Sequence, residues 1–482
     1  TIVSLQRRFL PVFFLFRTSF WMSGPYFYEV YSTKSLKYID GTSSPATKDF
    51  VTNISLVGYL AIALLGPPVG RVIDRYGRKA ATVSTALMYA FGSLFVLSNM
   101  PSVLYTGRAL VSIASSRLTS TLEAWLIGEY LSIQKKGQHE LNQGSQCWLS
   151  ETFGLAYGGD ALIAILAGQI ATFAATYVGS PTGPYLVCPL FLGMAVLLIV
   201  VLWTENEGGF QCDNKNSTRD QKVEATDDTK QNGLKVIFSD PKIVMVGLMQ
   251  SLFEGSMYIF VLVWPPIFSK SIRKAFGESA VIPFGTIFSC FMACCLLGSI
   301  MFGQLRKLAV NVASIMAGML FLSSTVLFWS VRAIQTENFV AIIVALFVFE
   351  ACVGIYFPSI GIIRIQVLPE SHRSVIMTLF AVPLNLFVVS VILLQSILGD
   401  IGALAIAGSG MGMATVCMIF LRWELQKEEQ KRVRKTRQHW LRIKAATTFT
   451  KLYLDKSGSL ELKQQVETIK QLHRSNSLLG IP

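Results

Sequence analysis

Apolar residues run along this chain in long blocks, and polar positions are gathered into the breaks between them. A helix needs about 20 largely apolar residues to cross a hydrocarbon core about 30 Å thick. Stretches of that kind fall at 8–31, 50–70, 79–98, 102–130, 146–177 and 184–203, then at 241–268, 282–303, 310–331, 337–367, 373–396 and 401–421. The pattern predicts an all-α membrane protein of twelve transmembrane helices in two sets of six. Residues 204–240, rich in Asn, Asp, Lys and Thr, cannot bury apolar area and read as a linker between an N-terminal half (1–203) and a C-terminal half (241–421). A basic tail occupies 422–482.

Composition agrees with the pattern. The chain is 52% hydrophobic and 15% charged, with a mean hydropathy of +0.50, which excludes a soluble domain of ordinary surface. The net charge of +13 raises the question of a nucleic-acid partner, but residues 422–474 hold 14 Lys and Arg against 6 Asp and Glu, and most of the remaining excess lies in alternate loops. That distribution is topology, and no nucleic acid is expected.

Counting Lys and Arg by loop places both termini in the cytoplasm. Arg7, Arg8, the cluster at 71–79, Lys135, Lys136, Arg306, Lys307, Arg364 and Arg373 then lie inside. The plasma membrane is favoured over an internal one, and the fold needs no second copy, so a monomer is expected. The basic tail can lie on an anionic leaflet, with membrane lipids as its partners. No cleavable signal peptide is visible. The cysteines form no paired metal-binding spacing. No phosphate-cradling loop and no nucleophile beside a base is present, so the chain is read as neither an enzyme nor a holder of a cofactor or metal.

The ten residues GRVIDRYGRK at 70–79 carry the most specific signal. Gly70 and Gly77 allow close approach of two helix ends, Asp74 is placed to satisfy free amides of the next helix, and Arg75, Arg78 and Lys79 are cationic. The stretch resembles the turn that major facilitator transporters carry between their second and third helices, where it latches the two halves. In the second half it recurs only as GSIMFGQLRK, 298–307, without the Asp.

Further segments narrow the resemblance: GPYFYEVY at 24–31, LEAWLIGEY at 122–130, QSLFEGSMYIFVLVWPPIF at 250–268, GTIFSCFMACCLLGS at 285–299, and FEACVGIYFPSIGIIR with VLPE at 349–370. Together they resemble the eukaryotic molybdate-anion transporter family of the major facilitator superfamily. The resemblance implies two pseudo-repeated six-helix halves, a site between them near the midplane, and uptake of molybdate or a similar small inorganic dianion, with protons as a possible co-substrate. Alternatives are a different small solute, or a non-transporting sensor or scaffold of the same fold.

Ionisable groups inside a bilayer are costly and so are functional candidates. At a rise of about 1.5 Å per residue, Arg17, Arg117, Asp160, Glu254 and Glu350 all fall near mid-membrane. Arg17 and Arg117 suit an oxyanion, since a guanidinium fork meets two oxygens at once. Glu254 and Glu350 would repel it when ionised, so they are expected to carry a coupling proton or pair with an arginine. Arg117 and Asp160 could instead neutralise each other.

Arg108 and Arg117 fall on opposite faces of their helix, whereas Arg108 and Glu123 share a face, which makes Glu123 the expected partner or competitor of Arg108 in coupling. Tyr258, Tyr356 and Asn385 are expected to complete the site. The chain departs from the family pattern in having Phe20 where an Asp precedes Trp21, and Ala381 where an Arg precedes Val382-Pro383-Leu384. Pro25, Pro265, Pro266, Pro358 and Pro383 mark helices in which a gate could bend.

Overall fold

The computed structural model describes residues 2–74, 77–136, 144–205, 235–369 and 373–457. Arg75, most of the polar linker and residues 458–482 lie outside that range, as does the side chain of Asp74.

Helix α1 spans Ile2–Ser23 and stops at Gly24-Pro25, where the proline ring disfavours helical backbone in the residue before it. A short α2, Phe27–Ser32, leads into a small antiparallel hairpin of β1 (Ser35–Lys37) and β2 (Ser43–Pro45). Then follow α3 (Lys48–Asp74), α4 (Arg78–Leu94), α5 (Pro101–Lys136), α6 (Gly144–Val178) and α7 (Gly183–Leu202). The second half contains α8 (Pro241–Phe276), α9 (Phe284–Lys307), α10 (Val312–Gln335), α11 (Phe339–Val367) and α12 (Arg373–Ser457). Gly399 interrupts α12 with φ 68°, a left-handed backbone that glycine adopts without a Cβ clash, so two rods meet there. The starts of α8, α10 and α11 are capped by Asp240, Asn311 and Asn338, whose side chains accept from backbone amides of the first turn.

Among the described residues nine helices are long and apolar enough to cross a membrane, with α12 counted once. Helices α1 and α5, of 22 and 36 residues, are long enough but are not among the nine. Arg7, Arg8 and Arg17 lie in the first, and Arg108, Arg117, Glu123 and Glu129 in the second. In these two helices the charges dilute the apolar signal, whereas α6, α8 and α11 carry the single candidates Asp160, Glu254 and Glu350 and remain among the nine.

Packing repeats between the halves. In the first, α5 is flanked by α3 and α4; in the second, α11 is flanked by α9 and α10. Helices α9 and α11 cross so closely that a Cβ on Gly298 would strike the carbonyl of Ala351, and one on Gly354 the carbonyl of Cys295. Such small-residue crossings replace hydrophobic driving force where lipid is as apolar as the protein.

The bundle has a terminal end, where Gly77 precedes α4, and a loop end, with the hairpin and the turns at 179–182 and 277–283. At the loop end the halves meet. Helix α6 crosses α9 through Gly168 and Gly285, and Ser289 Oγ donates to the carbonyl of Ile165 at 2.7 Å. Trp21 packs on Phe288 and Tyr26 on Phe284, and Arg273 reaches Glu29 at 3.3 Å. Leu56 and Tyr59 of α3 pack on a cluster of Leu384, Val388 and Ile392 in α12.

From residue 419 onward the chain forms a separate unit, helical through Ser457, within which Lys427 lies over the Trp423 ring at 4.5 Å.

Candidate functional site

Arg17 of α1 and Asp160 of α6 meet inside the first half. Nε donates to Oδ1 at 2.7 Å and Nη2 to Oδ2 at 2.6 Å, and the Trp21 indole also donates to Oδ1 at 2.9 Å. The guanidinium lies over the rings of Phe20 and Trp21 at 5.0 and 4.8 Å. Phe20, which stands where the family pattern has an acid, therefore faces a cation with its π surface. The expected pairing of Asp160 with Arg117 is not made. Both carboxylate oxygens are taken by Arg17, which corrects that reading and leaves Arg17 committed to a carboxylate.

A second network joins α8 to α11. Arg364 Nη2 donates to Glu254 Oε1 at 3.0 Å and its Nε to Gln250 Oε1 at 3.1 Å, while the Tyr356 hydroxyl donates to Glu254 Oε1 at 2.9 Å. Loop counting treats Arg364 as a cytoplasmic marker; instead its side chain reaches back along α11 into the bundle, leaving it 22% exposed. Tyr356, six residues beyond Glu350 in the chain, meets Glu254 instead, beside a cation that the depth count leaves out.

Glu350 lies elsewhere on α11, 5% exposed, beside Cys294 and Cys295 of α9. It makes no ion pair among the described residues. Tyr258 turns from Glu254 toward the first half, its ring edge-on to Tyr59 at 6.4 Å. Asn385 donates to the carbonyl of Ala381, one turn back on its own helix, at 2.8 Å, and does not join these groups.

Arg108 and Glu123 are not paired. A shared helix face places them in line, but fifteen residues of helix separate them by about 22 Å. Glu123 instead accepts from the Tyr157 hydroxyl of α6. Arg108 lies over the Phe27 ring at 4.5 Å. Arg117 stays on α5, apart from Asp160.

At the terminal end the amides that Asp74 was expected to satisfy are met by Glu205, just past α7. Lys79 N donates to its Oε1 at 2.9 Å and Ala80 N to its Oε2 at 3.3 Å. In return Lys79 Nζ donates to the carbonyls of Trp203 at 2.8 Å and Val200 at 3.2 Å. An acid covers the positive end of α4 and a base the negative end of α7. Gly77, at φ 92°, supplies the turn, and Arg78 begins α4.

A cavity of about 380 Å³ lies at the loop end, lined by Phe27, Tyr28, Lys48, Asp49, Gln395 and Asp400 among others. None of the midplane residues borders it.

Residues 1–341 match a major facilitator family described as sugar transporters with 12 transmembrane segments. The chain belongs to this family. As a major facilitator chain it is similar to proteins named molybdate-anion transporter. That of Xenopus tropicalis is 28% identical over 389 residues, 79% of this chain and 76% of the relative. That of Danio rerio is 25% identical over 437 residues, 85% of this chain and 81% of the relative. Among solved structures it is similar to a POT peptide transporter in complex with sulfate (TM-score 0.63, 13% identity, covering 88% of this chain and 94% of that one). It is also similar to the nucleoside transporter NupG (TM-score 0.59, 12% identity, covering 87% and 98%). At such identities the structures speak for the fold alone.

In this major facilitator chain the residues that sequence reasoning missed are Arg364, Gln250 and Glu205. A signal existed for the first two: Gln250 and Glu254 stand four apart on α8, so both acceptors project from one face toward any cation opposite. Glu205 had none, since it opens a polar stretch with no periodicity.

Proposed function

We propose that this protein is a secondary transporter that moves molybdate or a similar oxyanion across a membrane by alternating access. The observation that carries the reading is the set of half-buried guanidinium groups in its membrane helices, Arg17 and Arg108 in one half and Arg364 in the other. Buried cations in a bilayer are retained where a site or pathway uses them. The names of the relatives supply the substrate class, and the fold supplies the route.

In this mechanism residues 1–203 rock against 241–421. The halves meet at the loop end through α6 and α9, and motion there alternately opens and closes a path from each side. Of the two candidates Glu254 and Glu350, Glu350 is the proton carrier. Glu254 is held by Arg364 and Tyr356, whereas Glu350 is buried with no cation bonded to it among the described residues. Taking up a proton beside an entering dianion limits net charge movement. The protein works as a monomer in the plasma membrane with both termini in the cytoplasm.

The test is uptake of labelled molybdate into vesicles containing purified protein, with tungstate, sulfate and a hexose as competitors. Saturable uptake, inhibited by the oxyanions and not by the hexose, and stimulated by an inward proton gradient, is expected. Glu350→Gln should abolish the stimulation while leaving molybdate exchange. Absence of uptake by folded protein, or inhibition by the hexose alone, overturns the proposal.

A further inference from the structure

We infer that Arg108, with the Ser112 hydroxyl beside it, is the group that receives the oxyanion; this rests on the transport reading above. The other arginines of the bundle with a described ion pair are each held by a carboxylate: Arg17 by Asp160 and Arg364 by Glu254 in the interior, and Arg273 by Glu29 at the loop end. Among the described residues Arg108 has none. Its positive charge, half-buried in a membrane helix, lacks a counter-ion within the protein.

The setting of Arg108 leaves its donors open. The guanidinium rests on the face of Phe27 at 4.5 Å. A ring face attracts the cation but accepts no hydrogen bond along the guanidinium edge, so the N–H donors stay unused. Arg108 Nε and Ser112 Oγ, one helical turn apart, are both buried without a hydrogen-bond partner. Gly58 of α3 passes directly over both. A Cβ there would fall 2.6 Å from Nε and 2.8 Å from Oγ, so a glycine is what lets α3 close over the pair without blocking it.

The surroundings suit an anion. Tyr31, Tyr59, Tyr89 and Tyr185 lie within electrostatic reach of Arg108 and are neutral hydroxyl groups, whereas a carboxylate would repel a dianion. Tyr59 in turn packs edge-on to Tyr258 of the second half. The open guanidinium therefore lies close to a contact that changes if the halves rock, as an anion acceptor in an alternating-access protein must. A planar fork matched to two oxygens of a tetrahedral dianion, with a hydroxyl donor beside it, favours molybdate, tungstate and sulfate over a halide.

The experiment is binding of labelled molybdate to purified full-length protein in lipid nanodiscs, read together with the thermal stability of each variant. Wild type should bind, and molybdate should raise its melting temperature. Arg108→Gln should weaken binding by about tenfold or more and abolish the ligand-induced rise. Its melting temperature without ligand should not fall, because an uncompensated charge has been removed. A structural arginine would give the opposite, a fall in ligand-free stability. Arg108→Lys should bind more weakly than wild type yet better than Arg108→Gln, and Ser112→Ala should weaken binding without loss of fold. Wild-type affinity in both Arg108→Gln and Ser112→Ala overturns this inference while the transport reading stands. Wild-type protein that binds no molybdate, tungstate or sulfate overturns the transport reading and this inference with it.

Discussion

Arg17 and Asp160 lie 143 positions apart in the chain and are joined by two parallel hydrogen bonds of 2.7 and 2.6 Å. This pairing ties α1 to α6, the helix that crosses into the second half at Gly168. With side chains only 12% and 13% exposed, solvent screens it little. Removing one partner leaves the other charged and buried, at a cost of about 3–5 kcal/mol, whereas replacing both with apolar residues of similar volume is often near neutral. Asp160→Asn should therefore lower the melting temperature in detergent more than the double variant Arg17→Met, Asp160→Leu. A double variant no more stable than Asp160→Asn would mean that the helices are held by packing and not by this pair.

Arg364 makes its two bonds to different side chains, Nε to Gln250 and Nη2 to Glu254. Lysine keeps the charge but presents one nitrogen on a flexible stem, and so cannot reproduce that fork. Hydrogen bonds to charged groups contribute about 1.5–3 kcal/mol. Arg364→Lys is expected to lose stability of that order, and adding Gln250→Ala should then cost little more, since the Nε bond is already gone. Additive losses in this double-variant cycle would refute the shared network.

Most of the membrane spans were legible because continuous apolar runs of helical length have few other uses, and the break at Gly399 falls between two of the expected spans. Counting residues along the helices set Arg17 and Asp160 at a common level, and the two do meet. What counting could not give was azimuth. Depth alone allowed Arg117 as the partner of Asp160, and a shared face alone allowed Glu123 as the partner of Arg108 despite their separation along the axis. Arg364 was lost for another reason. Near a helix end, a cation that marks topology and one that reaches inward look alike in sequence, and only the acceptors on α8 separate them.

Asp40 offers a pH dependence outside the membrane. The Thr42 hydroxyl donates to its carboxylate at 2.7 Å and the Thr42 amide at 3.0 Å, and these bonds hold its pKa below the ordinary 3.8, the hydroxyl contributing most. Because the folded value is depressed, the stabilisation of the β1–β2 turn is present above pH 3.8 and is lost as pH falls through the depressed value. A carbon-13 titration of the Asp40 carboxyl should show a midpoint below the ordinary one, and Thr42→Ala should move it upward. A wild-type midpoint at or above 3.8 would contradict the turn geometry.

Glu205 and Lys79 cover opposite helix ends, so their loss should differ in kind. Glu205→Ala uncovers the first-turn amides of α4, and loss of a helix cap costs about 1 kcal/mol. Glu205→Gln keeps an acceptor but drops the charge, and should fall between Ala and wild type. Hydrogen exchange of the Lys79 and Ala80 amides is the direct measurement. Faster exchange in Glu205→Ala is expected, and unchanged exchange would show that another group caps the helix.

Gly285 sits where α9 presses on α6, and a Cβ there would collide with the carbonyl of Gly168 and come within 2.6 Å of the Thr172 hydroxyl. Both Gly168 and Gly285 must be bare for the loop end to close in this way. Overpacking such a crossing costs about 1–3 kcal/mol, enough to shift a two-state equilibrium by about fivefold to a hundredfold. Under the alternating-access mechanism proposed above, Gly285→Val penalises the conformation closed at the loop end and leaves the other free of the clash. Spin labels at Ser180 and Ser279, in a cysteine-replaced background, should therefore report longer distances in Gly285→Val, and molybdate uptake should fall while binding persists. Unchanged distances together with unchanged uptake would mean that this crossing is a fixed seam, and that the halves rock about some other contact.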